Sequence, residues 1–519
     1  MKEKKENKKN NKFIILFFFV SSMTALGIYY YCTILANSFW LDQYKLIEFS
    51  KEILDGNFRL VGMRTSRLSW NFPMIHYLLT PLIYFTNTIW VLYFSVSISY
   101  VLGIFSLCWI LLKYRPFSEC LIFILLSISH VWSLFYSSFA WPPNYIPFFA
   151  SLFLVFFFKY IKNSKNVFFF HLSSIFLNII FQLHPLSLSL IMGFLIALFF
   201  LGKLPRYRHW IVQICIQIFL LLPWIIYHLF IIEWQKEPEY HSSMFKNFLS
   251  PAKSILDYFS GTGLTREHTQ YLSYGTNTFP LEKFWYNLLS FGGVIFLLLL
   301  AWALLNIYKS ENNFDISLKN FGYKLLPYYH EEKEINFAYP LSIYCLFLPT
   351  LIYIVSGISM VPHYYQFLTP LIFLLLSILP GQINNSILRK IAWSGILSII
   401  AIQGSFSYWR ALEEYKSPYL HDIGYTKILA KVVARECFDK PNIRFVSENG
   451  FKYAGKMFWY RFGPELNNLN RTGSNQCNLI FVFQNKIFTK STLVNWYLKQ
   501  LQPMKKMEIL NNQVWIMGN

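Results

Sequence analysis

The sequence predicts an all-α polytopic membrane protein with about eleven transmembrane helices, followed by a small α/β domain outside the cytoplasm. The first observation is composition: hydrophobic residue types make up 55% of the 519 residues, whereas Asp, Glu, Lys and Arg together make up 14%. Soluble globular domains contain about 25% charged residues. Aromatic residues reach 20%, and the mean hydropathy is +0.36. These values exclude an ordinary soluble enzyme and an intrinsically disordered chain.

Long apolar stretches are the second observation. A helix crosses the ~30 Å hydrocarbon layer of a membrane with about 20 apolar residues. Stretches of this kind predict spans at 13–31, 88–112, 118–135, 145–161, 166–182, 185–201, 209–232, 285–307, 338–357, 364–380 and 388–406. An odd number of spans places the two ends of the chain on opposite sides of the membrane.

The positions of Lys and Arg are the third observation, and they predict which ends face the cytoplasm. Residues 1–12 contain six Lys and two Glu, which indicates a cytoplasmic tail by the positive-inside rule. The apolar stretch that follows has no small-residue cleavage pattern, so we expect an uncleaved anchor rather than a signal peptide. The connections at 138–144, 182–185 and 359–363, predicted outside, contain neither Lys nor Arg. The connections predicted inside contain Lys113, Arg115, Lys159, Lys162, Lys165, Lys203, Arg206, Arg208, Arg389 and Lys390.

Composition changes after the last span and defines a C-terminal domain. Long apolar runs stop, and strand-like pieces at Ile443–Val446 and Leu479–Phe483 lie among helical patterns near 426–436 and 493–501. The predicted domains are a cytoplasmic basic tail at 1–12, a transmembrane domain at 13–406 with a first outer loop at 32–87 and a large outer loop at 233–284, and an extracytoplasmic α/β domain at 407–519.

The first outer loop begins with an amphipathic helix that carries an acidic residue. Asn37 or Ser38 is suited to cap the start of this helix, and Gly56 is suited to end it. Apolar residues recur between them with the spacing of an interfacial helix, at Trp40, Tyr44, Ile47 and Leu54. Asp42 lies in the first turn. Its carboxylate is either a solvated group favoured by the helix dipole or a functional acid.

Three arginines follow that helix at the outer boundary, against the positive-inside preference. They are Arg59, Arg64 and Arg67. A guanidinium binds phosphate oxygens through two parallel hydrogen bonds, so lipid phosphate is one partner that these residues suit. The alternative is ion pairing within the loop, with Glu48, Glu52 and Asp55.

Further polar residues lie at the predicted outer ends of later spans. Trp141 and Asn144 precede the fourth span, Gln182 and His184 join the fifth and sixth, and His363 precedes the tenth. Taken singly, an interfacial Trp is typical of the aromatic belt, and a His at a helix end is usually just hydrogen-bonded. Taken together, these residues share one side of the membrane, which is typical of a cavity open to the outside.

This ordered set resembles the polytopic GT-C glycosyltransferases, a class that includes protein O-mannosyltransferases and aminoarabinose transferases. The resemblance covers about residues 1–410. The matching features are Asp42 after the first span, the helix end Ile53-Leu-Asp-Gly56, the Gly62…Ser66…Pro73 stretch before Tyr77, Trp141…Asn144…Pro147, Gln182-Leu-His184, and His363-Tyr364 before Pro370.

Two positions depart from the pattern of that class. Many relatives place a second acid directly after the first, whereas this chain has Asp42 followed by Gln43. A metal site built on two adjacent carboxylates is therefore not indicated, although a divalent metal stays open. A frequent Arg upstream of the Trp motif is absent, since residues 137–140 read Ser-Ser-Phe-Ala.

The resemblance implies inverting transfer of a sugar from a polyprenyl-phosphate-linked donor to a cell-envelope acceptor at the outer face of the cytoplasmic membrane. The acceptor is lipopolysaccharide, another glycolipid, a wall polymer or protein. Asp42 is the candidate catalytic base. The large outer loop is either an acceptor-side lid or passive. Candidates for binding the donor phosphate are Arg64, Arg67, His184 and His363, and candidates for binding sugar or acceptor are Trp141, Asn144 and Gln182.

Two other classes of membrane protein compete with this interpretation. A transporter or lipid flippase favours ionisable residues near the middle of its spans and often an internal repeat. An O-antigen polymerase or ligase relies mainly on Arg and His in a large outer loop. Nucleic acid is not an expected partner, because much of the net charge of +20 lies in the predicted cytoplasmic connections.

Small sequence motifs narrow the chemistry further. The chain contains no glycine-rich phosphate-binding loop of the Walker or dinucleotide type, so a nucleotide-sugar donor is not indicated. It has no Cys-x-x-Cys pair and no Cys/His spacing typical of a metal site. Cys437 and Cys477 lie in the C-terminal domain, where they form either a disulfide or two buried thiols.

Overall fold

The structure is a computed structural model in which the described part of the predicted transmembrane region is mainly helical. It describes residues 18–33, 41–63, 70–85, 89–200, 202–230, 256–262, 282–310 and 362–416, the isolated positions 429, 431 and 435, and four strands after them. The helices are α1 (18–33), α2 (Leu41–Leu54), α3 (Met74–Phe85), α4 (Ile89–Tyr114), α5 (Phe117–Ser127), α6 (Val131–Tyr136), α7 (Ile146–Lys162), α8 (Phe168–Leu183), α9 (Leu188–Phe200), α10 (Tyr207–Phe230), α11 (Glu282–Ser310), α12 (Thr369–Gln382) and α13 (Ser386–Lys416).

These helices make the chain a multi-pass membrane protein. Within the described residues, six helical stretches are long and apolar enough to cross a bilayer: Val91–Tyr114, Pro142–Lys162, Tyr207–Phe230, Lys283–Ala303, Tyr365–Gln382 and Ser386–Glu413. The shorter helices α8 and α9 also coincide with predicted spans, and the span at 338–357 lies outside the described residues. The last helix runs past the predicted domain boundary at 406, to Lys416.

The prediction of one continuous span at 118–135 is wrong, because the helix is interrupted. Helix α5 ends at Ser127 and α6 begins at Val131. The imidazole of His130 caps α6, where its Nδ1 accepts from the Ser133 backbone N–H at 3.2 Å. Its Nε2 then donates to the Tyr258 carbonyl at 3.2 Å. The interruption therefore serves a contact with a segment far along the chain.

That segment belongs to the predicted large outer loop, yet part of it is buried within the bundle. Residues 256–260 form a short helical piece, and Tyr258 and Phe259 are fully buried. Trp132 Nε1 donates to the Asp257 carbonyl at 2.8 Å, and Gln403 Nε2 donates to the Phe259 carbonyl at 2.6 Å. Irregular backbone at membrane depth is tolerated where protein groups satisfy it. The rest of the loop lies outside the described residues.

The bundle has two ends. We name one the Lys162 end, after the contacts described next, and the opposite one the Asp42 end. At the Lys162 end, Lys162 Nζ donates to the Tyr114 hydroxyl at 3.0 Å, and the Tyr160 hydroxyl donates to the Lys203 carbonyl at 2.8 Å. The helix ends near 114, 162 and 203 thus lie together, as alternating spans require. Which end faces the cytoplasm stays a prediction.

The C-terminal strands form one mixed sheet. They are β1 (Asn442–Val446), β2 (Leu479–Phe483), β3 (Pro503–Ile509) and β4 (Asn512–Met517), in the spatial order β1-β2-β4-β3. Strands β1 and β2 are parallel and occupy the predicted strand positions, whereas β4 is antiparallel to both neighbours. The predicted helices around these strands lie almost entirely outside the described residues, so the α/β class of this domain stays a prediction. Cys437 and Cys477 also lie outside the described residues.

Candidate active site

Helix α2 has the predicted end and carries Asp42 in its first turn, whereas Asn37 and Ser38, the predicted caps of its start, lie outside the described residues. Asp42 lies in its first turn and Lys51 in its last, which suits the helix dipole. Gly56 ends it with a φ of 87°, a left-handed conformation that glycine adopts without steric cost. The sequence analysis missed α3, which packs against α2. Its signal was Pro73 before apolar residues at helical spacing, Ile75, Leu79 and Ile83.

Two adjacent residues of α2 contact two adjacent residues of the turn before α7. Trp141 lies beside the Asp42 carboxyl, and the hydrogen bond that its indole N–H offers acts to lower the pKa of that carboxyl. Gln43 Nε2 donates to the Ala140 carbonyl at 2.8 Å, and the Gln43 side chain is buried. The structure therefore brings together Asp42 and Trp141, which lie about a hundred residues apart in the sequence and were both predicted site residues.

The environment of Asp42 tunes its acidity. Its side chain is partly buried, and this burial is the largest influence, raising the pKa of the carboxyl above its ordinary value. Lys45, three residues along the same helix, and the Trp141 hydrogen bond both act to lower the pKa. A carboxylate with a raised pKa is a stronger base than an ordinary Asp, which suits removal of a proton from a hydroxyl.

Asn144 links this turn to the 3-10 helix that precedes α12. It is buried, and its Nδ2 donates to the Phe139 carbonyl at 2.8 Å. Its Oδ1 accepts from Gln366 Nε2 at 3.1 Å. Gln366 belongs to the 3-10 helix Pro362–Leu368, whose backbone also contains His363. The backbone of His363 therefore belongs to the same short helix as the residue that contacts Asn144, and the predicted shared cavity stays a prediction.

Gln182 is buried between α8 and α10 rather than presented to an open space. Its Nε2 donates to the Asn178 Oδ1 at 2.6 Å and to the Leu220 carbonyl at 3.1 Å. His184 follows directly after α8 and is partly buried. Burial lowers the pKa of its imidazole to about 4. His184 is therefore neutral at pH 7 and offers a phosphate an N–H group rather than a charge.

An aromatic cluster, which the sequence analysis missed, joins the first outer loop to α8 and α10. The Phe72 ring lies 5.1 Å from the Phe181 ring and 4.8 Å from the Trp224 ring, measured between centroids. Trp224 Nε1 donates to the Trp70 carbonyl at 3.4 Å. Because Phe181 immediately precedes Gln182, this cluster holds residues 70–72 beside the end of α8.

The three arginines of the first outer loop divide into two groups. Arg59 forms an ion pair with Glu52, and its guanidinium carbon lies 3.3 Å from the centroid of the Phe49 ring. Of the two alternatives that the sequence left open, lipid phosphate and ion pairing within the loop, the second therefore applies to Arg59. Arg64 and Arg67 lie outside the described residues. The chain on either side of them is fixed by two backbone hydrogen bonds, from Gly62 N to the Asn71 carbonyl at 2.7 Å and from Asn71 N to the Met63 carbonyl at 3.0 Å.

A buried arginine at the same end of the bundle was also missed. Arg410 has 4% of its surface exposed and is the one buried Lys or Arg among the described residues. Its guanidinium carbon lies 4.7 Å from the centroid of the Phe135 ring, six residues before Trp141. The signal was an Arg near the predicted outer end of the last span, against the positive-inside preference.

Comparison with solved structures identifies the architecture. ArnT from Cupriavidus metallidurans in the apo state superposes with a TM-score of 0.52 at 10% sequence identity, over 98% of this chain and 98% of that one. The same protein bound to undecaprenyl phosphate gives a TM-score of 0.51 at 9% identity, over 97% of each chain. ArnT is an aminoarabinose transferase of the GT-C class. The chain has the GT-C fold. The resemblance predicted from the sequence is thereby confirmed at the level of the fold.

Sequence comparison adds nothing to this result, since no protein-family model and no curated protein sequence matches the chain. Within the GT-C fold, position 43 bears on metal binding. The amide of Gln43 is engaged with a backbone carbonyl, so it does not complete a two-carboxylate site with Asp42. The described residues contain no group of three or more His, Cys, Asp or Glu side chains placed to hold a metal ion.

Proposed function

We propose that this protein is an inverting membrane glycosyltransferase that moves a sugar from a polyprenyl-phosphate-linked donor to a cell-envelope acceptor. The carrying observation is the Asp42 carboxyl, which lies beside Trp141 at one end of a GT-C fold and whose pKa is raised by burial. Support for the donor class comes from the ArnT structure that binds undecaprenyl phosphate. The acceptor class, lipopolysaccharide, another glycolipid, a wall polymer or protein, is set by groups outside this cluster.

The chemistry is a single displacement in which Asp42 acts as general base. The acceptor hydroxyl oxygen attacks the anomeric carbon from the face opposite the phosphate, while Asp42 takes the hydroxyl proton. A new glycosidic C–O bond forms as the C–O bond to phosphate breaks, and the electron pair leaves with the polyprenyl phosphate. One displacement inverts the anomeric configuration. The raised pKa of Asp42 brings its basicity closer to the working pH.

The leaving phosphate requires donors and positive charge, which we assign to groups at the Asp42 end. Arg64, Arg67 and His363 are the candidates from the sequence, and His184 contributes an N–H as a neutral imidazole. Arg410 adds positive potential from a buried position, where solvent screens it weakly.

The sugar contacts divide between a direct and a supporting role. We assign the Trp141 ring to stack on the sugar, because its N–H already orients the base. The amides of Asn144 and Gln182 form hydrogen bonds to protein groups, which favours a role in shaping the site.

The proposed location is the cytoplasmic membrane, with the N-terminus inside and the C-terminal domain outside. In this orientation the Asp42 end of the bundle faces the extracytoplasmic side, where the lipid-linked donor is used. The grouping of α4, α7 and α9 at the Lys162 end supports the alternation on which this orientation rests. It also places the basic connections of the sequence together.

The test is sugar transfer in membranes supplied with radiolabelled polyprenyl-phosphate sugars, comparing wild type with Asp42→Asn. Removal of a general base costs about 10²- to 10⁴-fold in rate, so we expect near-complete loss at an unchanged membrane level. Asp55→Asn is the matched control, because Asp55 is an exposed carboxyl just after the same helix. Full transfer by Asp42→Asn contradicts the base assignment and favours the O-antigen polymerase or ligase class.

The transporter alternative is less well supported by the described residues. Their buried Asp, Glu, Lys and Arg side chains are Glu119 and Arg410, which lie near helix ends rather than at mid-span. Glu119 is paired with Arg115 at 2.6 Å. A permeation pathway uses ionisable groups near the membrane midplane. If folded protein transfers sugar from none of the lipid-linked donors, the transporter alternative is favoured.

A further inference from the structure

Gln43 occupies the position at which the GT-C resemblance often places a second acid, and the structure gives its amide a specific contact. The side chain has 3% of its surface exposed. Its Nε2 donates to the Ala140 carbonyl at 2.8 Å, immediately before Trp141. The next residue of the turn is Trp141, which lies beside the Asp42 carboxyl and acts to lower its pKa. The two neighbouring contacts therefore join the same helix turn to the same loop.

The contact requires a hydrogen-bond donor at position 43. A peptide carbonyl only accepts hydrogen bonds, and the amide of Gln supplies an N–H. An ionised Glu has no proton to donate, and its charge at a buried site next to a carbonyl oxygen is unfavourable. Successive side chains on a helix also point in different directions, so residue 43 is not placed to share a ligand with Asp42.

We infer that Gln43 is a positioning residue, which holds the 140–141 turn so that Trp141 donates to the catalytic carboxylate of Asp42. This inference rests on the proposed function in that it treats Asp42 as a catalytic residue. The positioning of the 140–141 turn by Gln43 does not depend on that function. The chain has thus replaced a second acid with an amide that orients the first. Without the amide, the indole moves away from Asp42 and the carboxylate loses a hydrogen bond that favours its ionised form.

The first test measures the acidity of Asp42 directly and does not depend on transfer. A hydrophobic carbodiimide modifies a protonated carboxyl, so modification of Asp42, quantified by peptide mass spectrometry, falls as the pH rises through its pKa. In Gln43→Met, which keeps side-chain volume and removes the donor, we expect this midpoint to rise by about one pH unit. Asp42→Asn supplies the blank.

Gln403→Met is the matched control. Gln403 is also buried and also donates its Nε2 to a backbone carbonyl, that of Phe259, but it lies away from Asp42 in the sequence and in its contacts. We expect it to leave the Asp42 midpoint unchanged. An unchanged midpoint in folded Gln43→Met, or an equal rise in Gln403→Met, overturns the inference.

The second test uses the acid that relatives often carry. In Gln43→Glu, the protonated carboxylic acid still donates an O–H to the Ala140 carbonyl, whereas the ionised form does not. We therefore expect its transfer activity to fall with rising pH over a range in which wild-type activity does not fall. A wild-type pH profile in Gln43→Glu contradicts the inference. A shifted carbodiimide midpoint in a protein that transfers no sugar retains the positioning role and refutes the proposed function.

Discussion

At the scale of single residues, three influences set the pKa of the Asp42 carboxyl, and this pKa determines the pH range in which the candidate site is active. Burial raises the pKa of Asp42 and outweighs Lys45 and the Trp141 hydrogen bond, which lower it. A base works in its ionised form, so activity rises with pH through the pKa of Asp42. We therefore expect the acid limb of the pH profile to lie above the ordinary Asp value of about 3.9.

Trp141→Phe tests this balance at the residue level. The substitution keeps an aromatic ring but removes the N–H that stabilises the Asp42 carboxylate, so the pKa of Asp42 rises. We expect the acid limb of kcat/KM to move by about one pH unit to higher pH. Trp109→Phe is the control, because Trp109 is 76% exposed on a membrane helix. An acid limb that stays in place in Trp141→Phe contradicts the hydrogen bond as a determinant of activity.

Sequence reasoning located some of these residues and not their partners. Asp42 and Trp141 were predictable neighbours, because helix alternation places the start of α2 and the start of the fourth span on one side of the membrane. The bond between Asn144 and Gln366 was not predictable, since it depends on packing between residues 222 positions apart. The bond from Gln182, near the end of α8, to the Leu220 carbonyl of α10 was not predictable either, because it depends on packing between two helices.

At the scale of elements, helix α10 contacts the bundle through polar side chains as well as through aromatic rings. His171 Nδ1 bonds to the Gln213 Oε1 at 2.8 Å, Asn178 donates to Gln217, and Gln217 Nε2 donates to the Ser174 carbonyl at 3.1 Å. Much of the remaining surface of α10 is apolar and exposed, as at Ile211, Ile214, Ile218, Phe219 and Leu222. Interhelical hydrogen bonds of this kind hold membrane helices together where the hydrophobic effect does not.

Gln217→Leu tests this attachment. It removes one acceptor and one donor at the contact and leaves the Asn178 amide and the Ser174 carbonyl without these partners. Each such bond contributes about 0.6 kcal/mol in membranes, so we expect unfolding in mixed detergent micelles to become easier by roughly 1 kcal/mol. Phe219→Leu, at a 72% exposed position of the same helix, is the control. Equal stability of the two variants contradicts the role of the polar contacts.

The interrupted span shows why element prediction from hydropathy has a limit. Residues 118–135 are apolar enough for one helix, although the polar residues Ser127, Ser129 and His130 lie at the break between α5 and α6. The break exists because His130 and Trp132 bond to the backbone at Tyr258 and Asp257. A long-range contact thus overrides a local helical preference.

At the scale of the whole molecule, the predicted all-α polytopic architecture and the GT-C resemblance agree with the superposition on ArnT over nearly the entire chain, whereas the count of eleven spans and the α/β class of the C-terminal domain stay predictions. Composition and span spacing carried that prediction, because the bilayer restricts spanning structures so strongly. The predicted domain boundary at 406 stays a prediction, but helix α13 extends beyond its apolar stretch to Lys416. Polar residues near the end of a helix do not by themselves end it.

The orientation of the molecule is a separate prediction at this scale. We expect alkaline phosphatase fused after Asn519 to be active, because the C-terminal domain is outside, and the enzyme fused after Lys165 to be inactive. The physical reason is the concentration of Lys and Arg in connections predicted inside. A green fluorescent protein fused at the same two positions gives the complementary signal. Reversed signals at both positions place the Asp42 end in the cytoplasm and contradict the proposed location.

The role of Asp42 as the base of a single displacement is tested most directly by measuring both products of the reaction in one vessel. Purified protein in lipid nanodiscs receives a doubly labelled polyprenyl-phosphate sugar and a cell-envelope extract as acceptor, for wild type, Asp42→Asn and Asp55→Asn. We expect wild type and Asp55→Asn to release one polyprenyl phosphate for each sugar transferred, with inverted configuration at the anomeric carbon. We expect Asp42→Asn to form neither polyprenyl phosphate nor glycosylated acceptor. Equal turnover by Asp42→Asn, or retained configuration in the product, would contradict Asp42 as the base of a single displacement.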